Sequence, residues 1–243
     1  MWQTLQDYVL NFLSKFLVSD SADLMAIQQL SSLSTSFLPW TGPAILPSGL
    51  VKVLNLISIY SYRSIVECGS GISTVYIAKL LRQMGDGHLY SIEHDAAWAG
   101  VLQSILKREE LEDYVTIVVA PLTDCELAQP PNQWYDRKAI EAKLIDTTID
   151  LLLVDGPPAN KKGRHLSRYP AVPYFQPLLS QHYAIVLDDI NRSGESWIMR
   201  KWESFLSLKF QTHRLDGNIA ILQSSSPYSI SFKSHNPLAK FLY

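Results

Sequence analysis

The chain is poor in cysteine, with two among its 243 residues, Cys68 and Cys125. Two thiols can build neither a zinc tetrad nor a disulfide framework, so a reducing compartment and a cytoplasmic location are expected. Long apolar runs are also missing. Polar residues interrupt every hydrophobic stretch short of the ~20 residues a membrane helix needs, which argues against stable membrane insertion. The first residues, Met1-Trp2-Gln3-Thr4-Leu5-Gln6-Asp7-Tyr8, lack the basic start of a secretory signal. Nor is there an excess of positive charge: 21 Lys and Arg stand against 23 Asp and Glu, for a formal charge of -2 and a pI near 6.3. A general nucleic-acid partner needs a basic face, and none is expected here. What remains is 47% hydrophobic and 18% charged, enough to bury a sizeable core in one large domain or one domain with an appendage.

The centre of the pattern is residues 64–74, Ser-Ile-Val-Glu-Cys-Gly-Ser-Gly-Ile-Ser-Thr. Ile65 and Val66 read as the end of a buried parallel strand, Gly69 to Gly71 as a tight turn, and Thr74 to Leu81 as a helix. Glycine suits such a reversal because it accepts unusual backbone angles and lets a ligand approach the main chain. The following helix offers unpaired N–H groups and a positive dipole end to an anionic group. Residues 88–95 read as a second strand ending in Glu93, 24 residues after Gly69. An acid at that tip can accept hydrogen bonds from two ribose hydroxyls. Strand, glycine turn, helix, strand and acid together describe a nucleoside-binding half-site.

The pattern then repeats. Trp98 to Lys107 is helical, Val115 to Val119 a third strand, and Ile149 to Val154 a fourth, apolar almost throughout as a strand covered on both faces should be. Residues 124–145 between them read as an irregular connection with a short helix. Tyr183 to Leu187 is a fifth strand, Trp197 to Leu206 a helix. Residues 209–215 and 219–223, joined by Asp216-Gly217-Asn218, read as an antiparallel hairpin. Upstream, residues 2–18 carry apolar residues at helical spacing, for docking on the domain or on a partner subunit in a homodimer. An in-plane membrane helix is the alternative, with only Lys15 to support it. A second helix runs to about Leu33, and a helix from Leu50 to Tyr60 feeds the first strand. The proline-broken stretch 35–48 is either a lid or pocket wall at the glycine turn or a surface connector.

Four of the five strand ends carry acids: Glu67, Glu93, Asp155 and the pair Asp188-Asp189. Burying that many carboxylates is costly unless they meet hydroxyls, an ammonium group or a metal. Glu67-Cys68-Gly69-Ser70-Gly71, Glu93, the strand ending in Asp155 and the terminal hairpin resemble the class I S-adenosylmethionine-dependent methyltransferases across roughly residues 50–223. Asp155-Gly156-Pro157-Pro158, Arg168-Tyr169-Pro170 and Asp188-Asp189-Ile190-Asn191-Arg192 resemble a bacterial subgroup of that family.

The resemblance implies an α/β fold: a doubly wound, Rossmann-like, mostly parallel seven-stranded sheet with a C-terminal antiparallel hairpin. An N-terminal helical extension or lid (1–49) would precede the S-adenosylmethionine domain (50–225), and a tail (226–243) would follow it. Gly69, Ser70 and Gly71 would pass under the methionine part of the cofactor, with Glu67 anchoring its ammonium and Ser73 and Thr74 its carboxylate. Glu93 would take the ribose hydroxyls, His94 would pack beside the adenosine, and Pro121 and Leu122 would border adenine. Asp155, Asp188 and Asp189 match the ligand positions of metal-dependent O-methyltransferases. Either they hold Mg²⁺, which would acidify an acceptor hydroxyl, or Asp155 binds the cofactor ammonium and the Asp pair caps a helix or binds substrate.

The basic loop 159–170 then becomes a substrate wall, with His165 as general base beside Asp155. Arg168 and Arg192 either bind an anionic substrate group or neutralise the buried acids. The implied activity is O-methylation of a small-molecule or sugar-like hydroxyl. Two alternatives remain: a NAD(P)-dependent oxidoreductase, weakened by Thr74 where the third glycine of its fingerprint belongs, and a non-catalytic nucleoside-binding module.

Overall fold

The computed structural model describes residues 21–225 apart from Thr35 and Asp146; the expected helix over 2–18 and the tail 226–243 lie outside the described residues. Residues 21–30 are helical (α1), and helix α2 (Pro47–Tyr60) leads into strand β1 (Ser64–Cys68). Helix α2 starts three residues before the expected Leu50, because Pro47 at its first position loses no hydrogen bond and presets the backbone. The Asp23 carboxylate accepts hydrogen bonds from the Ser48 amide and hydroxyl at 3.0 and 2.6 Å, tying the upstream chain to that helix start.

Helix α3 (Ile72–Met84), strand β2 (His88–Glu93), helix α4 (Ala96–Arg108) and strand β3 (Val115–Val119) follow. The stretch expected to be irregular holds a small separate hairpin, β4 (Leu122–Thr123) against β5 (Trp134–Tyr135), and the short helix α5 (Arg137–Glu141). Two-residue strands are too short to register as an alternation of apolar and polar residues, which is why the sequence pattern misses them.

Strand β6 (Ile149–Val154), helix α6 (Ala171–Phe175), strand β7 (Leu179–Leu187), helix α7 (Ser193–Leu206) and strands β8 (Gln211–His213) and β9 (Ile219–Gln223) complete the chain. Strand β7 begins four residues before the expected Tyr183. Its first half is polar and partly exposed, and its register against β6 shifts between Ile149 and Leu151. Helix α7 begins at Ser193, ahead of the apolar periodicity that starts at Trp197, with Glu195 in its first turn.

The seven-stranded sheet has the order β3-β2-β1-β6-β7-β9-β8, parallel except where β9 runs antiparallel to β7 and β8. This is the expected doubly wound architecture with its terminal hairpin. Strand order reverses between β1 and β6, and such a switch point opens a crevice beyond the strand ends. Side chains alternate between two apolar layers. Ile65, Leu89, Leu151 and Val186 pack on the α2–α3–α4 side with Leu30 and Ile45; Val66, Ile92, Leu152 and Ile185 pack with Phe175 and Trp202 on the other. Among the described residues no helix is long and apolar enough to cross a membrane.

Candidate active site

The chain leaves β1 through Gly69, whose φ of +92° belongs to the left-handed region. A β-carbon there would lie 2.8 Å from the Gly156 amide nitrogen, so glycine is required both by the turn and by the neighbouring loop after β6. Gly71 is different. Its φ of -167° is extended backbone, and a β-carbon would meet nothing within 4 Å. It borders open space, so the bend itself does not require a glycine there.

That space is a cavity of about 390 Å³, within the ordinary range of ligand pockets, roughly 300–1,000 Å³. Gly69, Ser70, Gly71, Ile72 and Ser73 line it, as do Glu93, His94 and Trp98 from the second strand and its helix, and Asp155 and Gly156 from the β6 end. Thr41, Pro43, Ala44 and Ile45 line it as well, so this part of the proline-broken stretch is a pocket wall. Glu93 and Asp155, from tips of two strands, share one cavity.

Glu93 is only 4% exposed, yet its carboxylate is held at fixed bonds: Oε2 accepts from the Ser70 amide at 3.1 Å, and Oε1 from the Asp95 amide at 2.8 Å. The His94 ring nitrogen Nδ1 is 2.7 Å from Oε1. Oε2, with a single donor, keeps acceptor capacity for a ligand hydroxyl. Trp98 gives its indole N–H to the Ser70 carbonyl at 2.9 Å, which fixes the ring on the cavity wall.

Glu67 lies elsewhere. Strand alternation turns it to the same side as Ile65, beneath the start of α3, and it does not line the cavity. Ser73, Thr74 and Ser91 each donate a hydroxyl to it at 2.5 to 2.6 Å. Burial pushes its pKa up to about 7, against the pull of those three hydroxyls. Thr74 also accepts the Gly71 amide at 2.9 Å, a task the third glycine of a dinucleotide fingerprint could not perform. So Glu67 and Thr74 position the turn from below, and the Ser73 hydroxyl is committed to Glu67 although Ser73 reaches the cavity wall.

The β6 and β7 ends bring Asp155, Asp188 and Asp189 together, one oxygen of each lying within 4.8 Å of the others. Asp189 takes a left-handed φ of +62°. Burial, and then repulsion from Asp188, raises Asp155 well above the usual carboxylate range; burial and then Asp189 push Asp188 up to about 6. Such hard oxygen donors suit Mg²⁺. The cluster nevertheless already surrounds a cation. Arg168 is 3% exposed, and its Nη2 lies 3.2 Å from Oδ1 of Asp155 and 3.0 Å from Oδ2 of Asp189. With the guanidinium seated there, the three carboxylates as arranged do not fit a metal ion.

Of the two roles open to Arg168, it is spent on the acids and is not free for an anionic substrate. Two further expected placements are not met. His165 is exposed and absent from the cavity lining, because the loop reaches the cavity only through Pro158, Ala159, Asn160 and Arg168. Pro121 and Leu122 also stay outside the lining. Arg192 does line the cavity, with its side chain 40% exposed and Nη1 2.6 Å from Oδ2 of Asp189.

Sequence reasoning missed Trp98 and Tyr135. Trp98 sits in the first turn of the helix after the acid-tipped strand, a position that could have marked it. Tyr135 lines the cavity from a two-residue strand and left no periodic signal; its hydroxyl has no hydrogen-bond partner, and burial raises its pKa far above normal.

A family model described as "Methyltransferase domain" matches residues 66–190, just over half of the chain and the segment holding Glu93, Asp155, Asp188 and Asp189. No curated protein matches the chain in sequence. Solved structures of similar fold include a candidate caffeoyl-CoA O-methyltransferase from Staphylococcus aureus (TM-score 0.56, 12% identity, covering 88% of this chain and 100% of that one). They also include a Podospora anserina methyltransferase bound to SAH (0.53, 13%, covering 83% and 88%) and a Bacillus cereus O-methyltransferase in complex with SAH (0.52, 16%, covering 87% and 96%). At such identities these neighbours speak to the fold alone. With the glycine turn, the acid-tipped second strand and the family match, the chain belongs to the methyltransferase-domain family and has the class I S-adenosylmethionine-dependent methyltransferase fold.

Proposed function

We propose that the protein transfers the methyl group of S-adenosylmethionine to a hydroxyl of a small molecule. The observation that carries this reading is the single cavity shared by Gly69–Gly71, Glu93 and Asp155. When bound, the cofactor supplies an electrophilic methyl on a sulfonium. The open main chain at Gly71 and the start of α3 would receive its carboxylate, since the helix end offers free N–H groups and a positive dipole. Glu93 would accept the ribose hydroxyls, and Trp98, locked by Ser70, would flank the nucleoside with His94.

On the acceptor side, Asp155 is the carboxylate on the cavity wall positioned to take the proton of an attacking hydroxyl. Arg192, half-exposed at the same cavity, would orient an acceptor carrying an acidic or hydroxyl-rich group. A small acceptor fits a cavity of about 390 Å³, and the charge balance of -2 gives nucleic acid no attraction. O-methyltransferases among the structural neighbours agree with oxygen as the acceptor atom.

Labelled-methyl transfer from S-adenosylmethionine into a small-molecule extract, with products identified by mass spectrometry, tests the reading. Label in methyl ethers of small molecules supports it. Label found only in protein or nucleic acid, or at nitrogen, contradicts it.

A further inference from the structure

We infer that Arg168 is the resident cation of the Asp155–Asp188–Asp189 cluster, standing where a divalent ion would otherwise sit, so that this methyltransferase needs no metal. The guanidinium is fully engaged. Besides the carboxylates of Asp155 and Asp189, its Nη2 donates to the Asp155 carbonyl, Nη1 to the Asp188 carbonyl at 3.2 Å, and Nε to the Pro157 carbonyl at 3.4 Å. Moving it aside to admit an ion would strip all five acceptors in a buried site, a loss no surface arginine would face.

Its backbone is equally fixed. Ser167 is 1% exposed, Pro170 is buried, and the Tyr169 carbonyl accepts the Trp202 indole at 2.9 Å. Arg168 is therefore no mobile loop residue that happens to fold inward. Charge is shared further by Glu195, whose Oε1 lies 3.8 Å from Nη1 of Arg168 and 3.8 Å from Nη1 of Arg192. Three carboxylates thus pair with two guanidinium groups, and that of Asp188 lies beside those of Asp155 and Asp189. S-adenosylmethionine, itself cationic at sulfur, would add positive charge in the cavity that Asp155 lines.

Ion binding can be read without methyl transfer, so a failure here is separate from a failure of the O-methylation reading. Metal-free full-length protein is titrated with Mn²⁺ and with Mg²⁺, by calorimetry and by Mn²⁺ paramagnetic resonance, alongside Arg168→Met. The wild type is expected to take up neither ion saturably at millimolar concentration. Arg168→Met is expected to bind Mn²⁺ at least about tenfold more tightly and to gain thermal stability from it, both effects disappearing in Arg168→Met/Asp189→Asn. Saturable Mn²⁺ uptake by the wild type that Asp189→Asn abolishes overturns the inference, as does a folded Arg168→Met with no more affinity than the wild type. Should Arg168→Met not fold, Arg168→Gln takes its part, and the wild-type titration can overturn the inference alone.

Discussion

Two groups of buried acids flank the cavity, and they are stabilised in opposite ways. Glu67 is held by three neutral hydroxyls and has no cation against it, so burial lifts its pKa to about 7. Asp155, Asp188, Asp189 and Glu195 lie around Arg168 and Arg192. The first arrangement shapes a turn, since all its hydroxyls come from the start of α3 and the adjoining strand. The second is ionic and opens on the cavity, where charge can act on a reacting group. Acids at strand tips therefore need not share a role: which way the strand alternates, and what loop returns over it, decides between scaffold and chemistry.

The largest effect is expected from the ionic group. Removing one partner of a buried ion network leaves uncompensated charge, so Arg168→Met should cost about 3–5 kcal/mol in urea unfolding. A loss below about 1 kcal/mol would mean that the carboxylates were never paired with it.

The hydroxyl-bound acid comes next. Because the folded pKa of Glu67 is raised from 4.5 to about 7, the native state holds a proton that the unfolded chain has released across that window. Stability from this group is full below about pH 4.5 and falls as pH rises through 7, by roughly 3–3.5 kcal/mol. Glu67→Gln should flatten that part of the stability profile, measured as unfolding free energy at pH 5 and pH 8. An unchanged slope would show that the hydroxyls alone keep Glu67 ionised.

Within the glycine turn the contrast is smaller but sharper. Gly69→Ala puts a β-carbon at a positive φ and against Gly156, at a cost of about 1–3 kcal/mol. Gly71→Ala meets nothing and should change stability by under about 0.5 kcal/mol while weakening S-adenosylhomocysteine binding. Equal destabilisation by both would remove the distinction between a bend glycine and a ligand glycine.

The parallel strands and Glu93 were legible in sequence because strands covered on both faces write continuous apolar runs that end abruptly in a glycine or an acid. Glu67 was legible as an acid but not as a scaffold residue. Its phase with Ile65 gives its side of the sheet; the hydroxyls that enclose it come from Ser73, Thr74 and Ser91, up to 24 residues away. Tyr135 needed the tertiary structure, because it lies on a strand of two residues. The sequence left Arg168 open between an anionic substrate and the buried acids, and only the path of its loop, which no periodicity records, decides for the acids. His165 looked like a base on its chemistry alone, and the path of the same loop leaves it in solvent.

The most direct test of the central claim, a cofactor cavity between Glu93 and the glycine turn, is calorimetric titration of the wild type and Glu93→Ala with S-adenosylhomocysteine. Saturable one-site binding by the wild type, weakened about tenfold or more in Glu93→Ala, is the predicted result. No binding by the wild type, or equal affinity in the two proteins, would contradict it.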